Sequence, residues 1–193
     1  TIGKSIVLRD IFLFKIKNHL LEGVKFIESP NFSLRPVEKD ITVIVIHNIS
    51  LPPGEFGGDY VQDFFINNLN STEHPYFGDI KELKVSSHLF IDRKGKLTQF
   101  VPFNRAAWHA GISSFKGKEN CNDFSIGIEL EGTDTIAYTN KQYSTLGLVS
   151  KTLLENYPHI LLENIVGHSE IAPVRKTDPG KSFNWKAFKA SLE

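Results

Sequence analysis

The six residues Ile41–Ile46 (ITVIVI) constrain this chain more than any other segment. The run is apolar apart from Thr42, rich in β-branched side chains and too short for a helix, and it lacks the alternation of a strand with one wet face. It predicts a strand buried on both faces, which needs a layer of structure on each side. Ser125–Glu131 (SIGIELE) does alternate, with Ile126, Ile128 and Leu130 on one face and Gly127, Glu129 and Glu131 on the other. Residues 87–92 and 96–101 predict two strands joined through Arg93-Lys94-Gly95, and Ile165–Val166 a short strand leading to Gly167-His168. Helical spacing appears at Val61, Phe64, Phe65 and Leu69 and again at Trp185, Phe188 and Leu192. Tyr143, Leu146, Val149, Leu153 and Tyr157 share one face of a longer helix that Pro158 stops. The expected class is α/β (α+β), a central mixed β-sheet flanked by helices.

With 193 residues, 40% hydrophobic and 23% charged, the chain fits one globular domain and not a disordered or fibrous protein. Lys and Arg total 22 and so do Asp and Glu, which leaves no surplus positive charge to displace phosphate counterions. Nucleic acid is therefore not an expected partner. Lys81, Lys84, Arg93, Lys94 and Lys96 are interrupted by acids and read as a solvated face. The single cysteine, Cys121, allows no intramolecular disulfide and fits a reducing compartment. The apolar runs Ser5–Leu8 and Ile11–Phe14 are split by Arg9 and Asp10 and followed by Lys15 and Lys17. They form neither a secretory core of ~7–15 apolar residues nor a membrane span of ~18–20. The expectation is a cytoplasmic protein without a membrane partner; the oligomeric state stays open.

Two of the seven histidines share a context. His47 is expected to end one apolar strand before the Pro/Gly-rich loop Leu51–Gly58, and His168 to end another before Ser169–Gly180. Strand ends at the rim of a sheet are where side chains converge on a site. With Asp178, ten residues after His168, they form a nitrogen/oxygen donor set suited to zinc with a position left for water. Alternatively, both histidines are hydrogen-bonded rim residues and Asp178 is a turn former before Pro179. Glu129 could act as general base for a water activated by a metal, or its face of the strand could be solvated. Lys176 could offset a developing oxyanion or be an exposed loop lysine. Trp108-His109 could wall a pocket or pack in a core. A rival order, Cys121, His168, Asp178, resembles a cysteine amidase, but Cys121 precedes a strand-like run and not a helix. The prolines and glycines of Leu51–Gly58 admit either a lid or a rigid connection.

Longer blocks carry a resemblance: IVIHNISLPPGEFGG (44–58), HPYF (74–77), FVPFNRAAWHAG (100–111), CNDFSIGIELEGTDTIAYT (121–139) and GHSEIAPVRKTDPG (167–180). In order, from about Leu20 to about Lys189, they resemble the AmpD-type 1,6-anhydro-N-acetylmuramoyl-L-alanine amidases. The resemblance implies the fold of peptidoglycan recognition proteins and T7-type lysozyme, and cleavage of the lactyl–L-alanine amide of muropeptides in cell-wall recycling. It implies one zinc ion on His47, His168 and Asp178, with Glu129 and Lys176 as catalytic residues. Asn48, Trp108 and Lys84 match positions near the bound anhydro-muropeptide. A non-catalytic muropeptide-binding module on the same fold is the alternative; such modules typically lose a zinc ligand. Three departures stand out. Residues 1–18 extend beyond the resemblance, leaving 19–193 as the amidase domain; Lys84 stands where an arginine is expected; and Asn120 stands in place of a basic residue.

Overall fold

In the computed structural model, which describes residues 13–193, the ITVIVI run lies at the heart of a six-stranded sheet. Its strands are β1 (Lys25–Phe26), β2 (Val43–Ile49), β3 (Leu89–Ile91), β4 (Leu97–Gln99), β5 (Ser125–Glu131) and β6 (Ile165–Gly167), in the spatial order β6-β2-β5-β3-β4-β1. The four strands β6, β2, β5 and β3 run parallel; β4 returns antiparallel to β3, and β1 lies parallel to β4. Helices α1 (Tyr60–Phe65), α2 (Pro75–Ile80), α3 (Asn140–Asn156), α4 (His168–Ile171) and α5 (Trp185–Ala190) complete the mixed α/β architecture.

Strand β2 is buried as its composition requires: from Val43 to His47 no residue is more than 1% exposed. On one side Ile44 and Ile46 pack with Ile126, Ile128 and Leu130 of β5 and with Leu146, Val149 and Leu153 of α3. On the other side Val43 and Val45 join Ala110, Cys121, Phe124, Val166 and Ile171. Each such side chain contributes about 1.5–3 kcal/mol by leaving water. Helix α3 starts with a capping box: Thr139 Oγ1 accepts from the Gln142 amide at 3.1 Å, and Gln142 Oε1 accepts from the Thr139 amide at 3.0 Å. The same Gln142 is fully buried and donates Nε2–H to the carbonyls of Glu131 (2.9 Å) and Ile91 (3.3 Å), which ties the helix to the ends of two strands.

Several local expectations are corrected. Strand β2 does not end at His47 but runs on to Ile49, because pairing with β5 continues through Glu131 opposite Ile49. His168 does not end a strand; it opens helix α4 directly after Gly167. Neither face of β5 is solvated: all seven of its residues are buried. Three small ribbons were not anticipated: Ile16–Lys17 with Leu20–Leu21, Phe32–Leu34 with Arg105–Ala107, and Ser114–Phe115 with Lys118–Glu119. Strands of two or three residues are too short to print a period on the sequence. Of the segment 1–18, residues 1–12 lie outside the described part, and with them the run Ser5–Leu8 and the first half of Ile11–Phe14. The Phe14 amide donates to Thr152 Oγ1 on α3 at 3.1 Å. No helix among the described residues is long and apolar enough to cross a membrane.

Candidate metal centre

The parallel pairing of β2 with β5 sets His47 directly opposite Glu129. Period-two alternation turns both side chains away from the isoleucines and onto one face, near the carboxyl ends of the strands. On the far flank of β2, β6 ends at Gly167 opposite Ile46, so His168, the next residue, arrives beside His47. The segment after α4 returns Asp178 to the same place: the Ser169 amide donates to the Asp178 carbonyl at 3.0 Å.

Three ligand-type atoms meet there. His47 Nδ1 and His168 Nδ1 are 2.9 Å apart, and Asp178 Oδ2 lies 3.2 Å from the first and 3.1 Å from the second. Glu129 stands behind them with Oε1 3.9 Å from His47 Nδ1, while its Oε2 is buried without a hydrogen-bond partner among the described residues. The donor set fits a cation on a second count. His168 Nε2 is 3.0 Å from the Ala110 carbonyl, and a carbonyl oxygen only accepts, so this nitrogen carries the ring hydrogen. With that hydrogen on Nε2, the neutral ring would turn its Nδ1 lone pair towards the Asp178 carboxylate oxygen. Two acceptors at such a distance repel each other unless a proton or a metal cation lies between them. The Nδ1 atom of His47 converges on the same carboxylate oxygen, which suits the metal. Two imidazole nitrogens and one carboxylate oxygen are the donor types that zinc accepts.

Burial sets the charge states. His47 is pushed down to about 4 by desolvation, which the neighbouring Asp178 only partly offsets, so its imidazole is neutral at physiological pH. Desolvation pushes the Glu129 carboxyl well above its ordinary value, the Asp178 charge adds to this, and the Lys176 ammonium pulls it back. That places Lys176 within electrostatic reach of the carboxyl, on the wall of the same cleft of about 690 Å³.

Asn48 and Trp108 also line this cleft. Asn48 donates Nδ2–H to Asp134 Oδ1 at 2.8 Å, and the Trp108 indole donates to Ser33 Oγ at 2.8 Å. Lys84 is exposed on the rim, between Leu83 and Val85, which do line the cleft. Cys121 is fully buried in the small apolar cluster, and burial raises its thiol pKa, the opposite of what a nucleophile needs. The loop Leu51–Gly58 is held at both ends: Leu51 is buried, and the Gly57 amide donates to Glu131 Oε1. Glu131 Oε2 accepts from the Arg93 amide at 2.8 Å, so one buried carboxylate pins two loops. Glu131 and Ser125 were not singled out in the sequence, although both lie on the alternating face that carries Glu129. The Ala110 carbonyl left no sequence signal at all, since any residue offers one.

A family model described as N-acetylmuramoyl-L-alanine amidase matches residues 37–181. The 1,6-anhydro-N-acetylmuramyl-L-alanine amidase AmpD of Escherichia coli K12 is 50% identical over 169 residues, covering 88% of this chain and 92% of that protein. A crystal structure of a selenomethionine AmpD derivative matches with a TM-score of 0.90 at 49% identity, covering 93% of this chain and 99% of the other. The N-acetylmuramyl-L-alanine amidase AmiD from E. coli, in complex with the substrate anhydro-N-acetylmuramic acid-L-Ala-D-γ-Glu-L-Lys, matches with a TM-score of 0.58 at 31% identity. That match covers 79% of this chain and 57% of AmiD.

Proposed function

This chain is a member of the N-acetylmuramoyl-L-alanine amidase family, of the AmpD type, and from that premise we propose that it hydrolyses the lactyl–L-alanine amide of 1,6-anhydro-muropeptides in a zinc-dependent reaction. The observation that carries the zinc dependence is the meeting of His47 Nδ1, His168 Nδ1 and Asp178 Oδ2 beside Glu129, whose Oε2 has no hydrogen-bond partner among the described residues. One zinc ion held by those three residues would lower the pKa of a water molecule towards ~7 and polarise the scissile carbonyl.

The remaining work falls to the chain's own groups. Glu129 takes the proton of the attacking water at Oε2 and returns it to the departing alanine nitrogen; burial has raised its pKa, which suits it to both transfers. Lys176 sets a positive charge against the negative charge that develops on the carbonyl oxygen. Asn48 and the Trp108 ring, each fixed by its own hydrogen bond, would orient the muropeptide along the cleft. Lys84 on the rim would meet a carboxylate of the stem peptide. The substrate is a soluble turnover fragment, which accords with a cytoplasmic recycling role. Residues 19–193 form the amidase domain and 1–18 an extension to it.

Metal analysis combined with turnover of a purified anhydro-muramyl peptide tests this reading. One zinc per chain, loss of turnover on chelation and its return with zinc are expected, with little release from intact sacculi. Full turnover by metal-free protein would overturn the zinc dependence, and efficient digestion of sacculi would overturn the recycling role.

A further inference from the structure

His47 reaches the metal centre through Nδ1, and a neutral imidazole offers a lone pair there only if its hydrogen sits on Nε2. A chain of hydrogen bonds running away from the centre decides this, beginning at a main-chain carbonyl. Ser125 Oγ lies 2.5 Å from the Cys121 carbonyl oxygen, and since a carbonyl cannot donate, the one hydroxyl hydrogen is spent on that bond. The second neighbour of Ser125 Oγ is His109 Nε2 at 3.1 Å, which must then donate to it. His109 thereby has its hydrogen on Nε2 and a lone pair on Nδ1. That Nδ1 is 2.9 Å from His47 Nε2, which must carry the hydrogen in turn. The sequence of donors ends with a bare Nδ1 on His47, aimed at His168 and Asp178.

The surroundings hold this chain in place. Ser125 and His109 are 0% and 8% exposed. Asn122 Oδ1 accepts from the amides of His109 (3.1 Å) and Ala110 (2.8 Å), which fixes the main chain that carries the ring. The buried Arg35 guanidinium donates to the carbonyls of Asn122 (3.0 Å), Asp123 (2.9 Å) and Ser125 (2.8 Å), clamping the segment where the relay starts. On β5 the ring needs Gly127: a Cβ there would stand 2.5 Å from His109 Cγ.

We propose that Ser125 and His109 are positioning residues that fix the tautomer and ring orientation of His47 and so set the zinc affinity of the centre, a role that rests on the zinc reading above. Groups that hold the far nitrogen of a ligating histidine typically change metal affinity by roughly 10–100-fold when removed. Zinc affinity by chelator competition, and nitrogen-15 NMR of the metal-free full chain with labelled histidine, test it together. In the metal-free native protein His47 is expected with its hydrogen on Nε2 and a pyridine-like Nδ1. Ser125→Ala and His109→Leu should each weaken zinc binding by roughly 10–100-fold and populate the other His47 tautomer. His109→Gln should recover most of the affinity, because its amide oxygen can accept from His47 while its nitrogen donates to Ser125. A purely structural role would lower the melting temperature and leave the tautomer alone. A native His47 protonated on Nδ1, or near-native zinc affinity in both Ser125→Ala and His109→Leu, overturns the proposal. If either variant fails to fold, the tautomer in the native protein decides. A native protein that takes up no zinc overturns the metal reading instead, and the spectrum then judges the relay alone.

Discussion

The two sides of the central sheet are equally dry and do opposite work. On the α3 side Ile44, Ile46, Ile126 and Ile128 are all 0% exposed and stabilise through many weak contacts, each worth about 0.1–0.2 kcal/mol. On the other side the residues alternating with them, among them His47, Ser125, Gly127 and Glu129, are 9% exposed at most or lie within the fully buried strand. There each polar group has one or two defined partners, or in the case of Glu129 Oε2 none among the described residues. Burial by itself therefore does not distinguish scaffold from site. What separates them is how many neighbours share the load: the apolar side can give gradually, whereas the polar side loses a whole interaction at once.

Substitutions on the two sides should differ in kind. Asp178→Ala should have the largest effect, because two imidazoles alone hold zinc weakly. Metal analysis after dialysis should find the ion lost and turnover at background. Stoichiometric zinc in that variant would remove Asp178 from the ligand set. Next comes Glu129→Gln, which should keep zinc while turnover falls by roughly 10²–10⁴.

The same variant carries a pH signature in the metal-free protein. The Glu129 carboxyl has a folded pKa raised above its unfolded value, so the native protein binds the extra proton and loses stability as pH rises above the unfolded value of about 4.3. Glu129→Gln has no such proton to lose. Its melting temperature should exceed that of the metal-free native chain at neutral pH, and the gap should close below about pH 4. A gap that widened in acid would contradict the raised carboxyl.

Gly127→Ala should come third. The added methyl must displace the His109 ring, costing about 1–3 kcal/mol of stability and weakening zinc binding as well. Ile128→Val, one residue further along on the opposite face, should cost about 0.5–1.5 kcal/mol and leave zinc affinity and turnover unchanged. An equal effect of these two on zinc binding would erase the distinction between the sides.

The apolar side was legible in the sequence because apolar runs and periodicity report burial: the continuous ITVIVI, the alternating SIGIELE and the Tyr143–Tyr157 spacing fell where strands and helix α3 are found. The hairpin was legible from its turn, Arg93-Lys94-Gly95, where Gly95 adopts φ +79°. The polar side was legible only in part. His47, Glu129 and Asp178 stood out as residue types, and resemblance to a family tied them together, but nothing in the spacing showed that two strands and the segment after α4 deliver them to one point. Ser125 and Gly127 were hidden by their plainness, since their roles come from the His109 ring, which another segment of the chain brings against them. His109 was noticed only as a wall. Long-range hydrogen bonds leave no period to read.

The register that places His47 opposite Glu129 also bears on how such a protein can diversify. Neighbouring strands lie about 4.7–4.9 Å apart, and a slip by one residue would exchange a carboxylate for an isoleucine or a leucine. The separation of ligand and base is thus a fixed gauge, alterable only by rebuilding the sheet and with it the packing against α3. Changes of substrate must come from segments that the gauge does not govern, such as residues 51–54, 83–85 and 133–135 around the cleft mouth. Insertions and replacements there can reshape what enters while the distance between ligand and base stays the same.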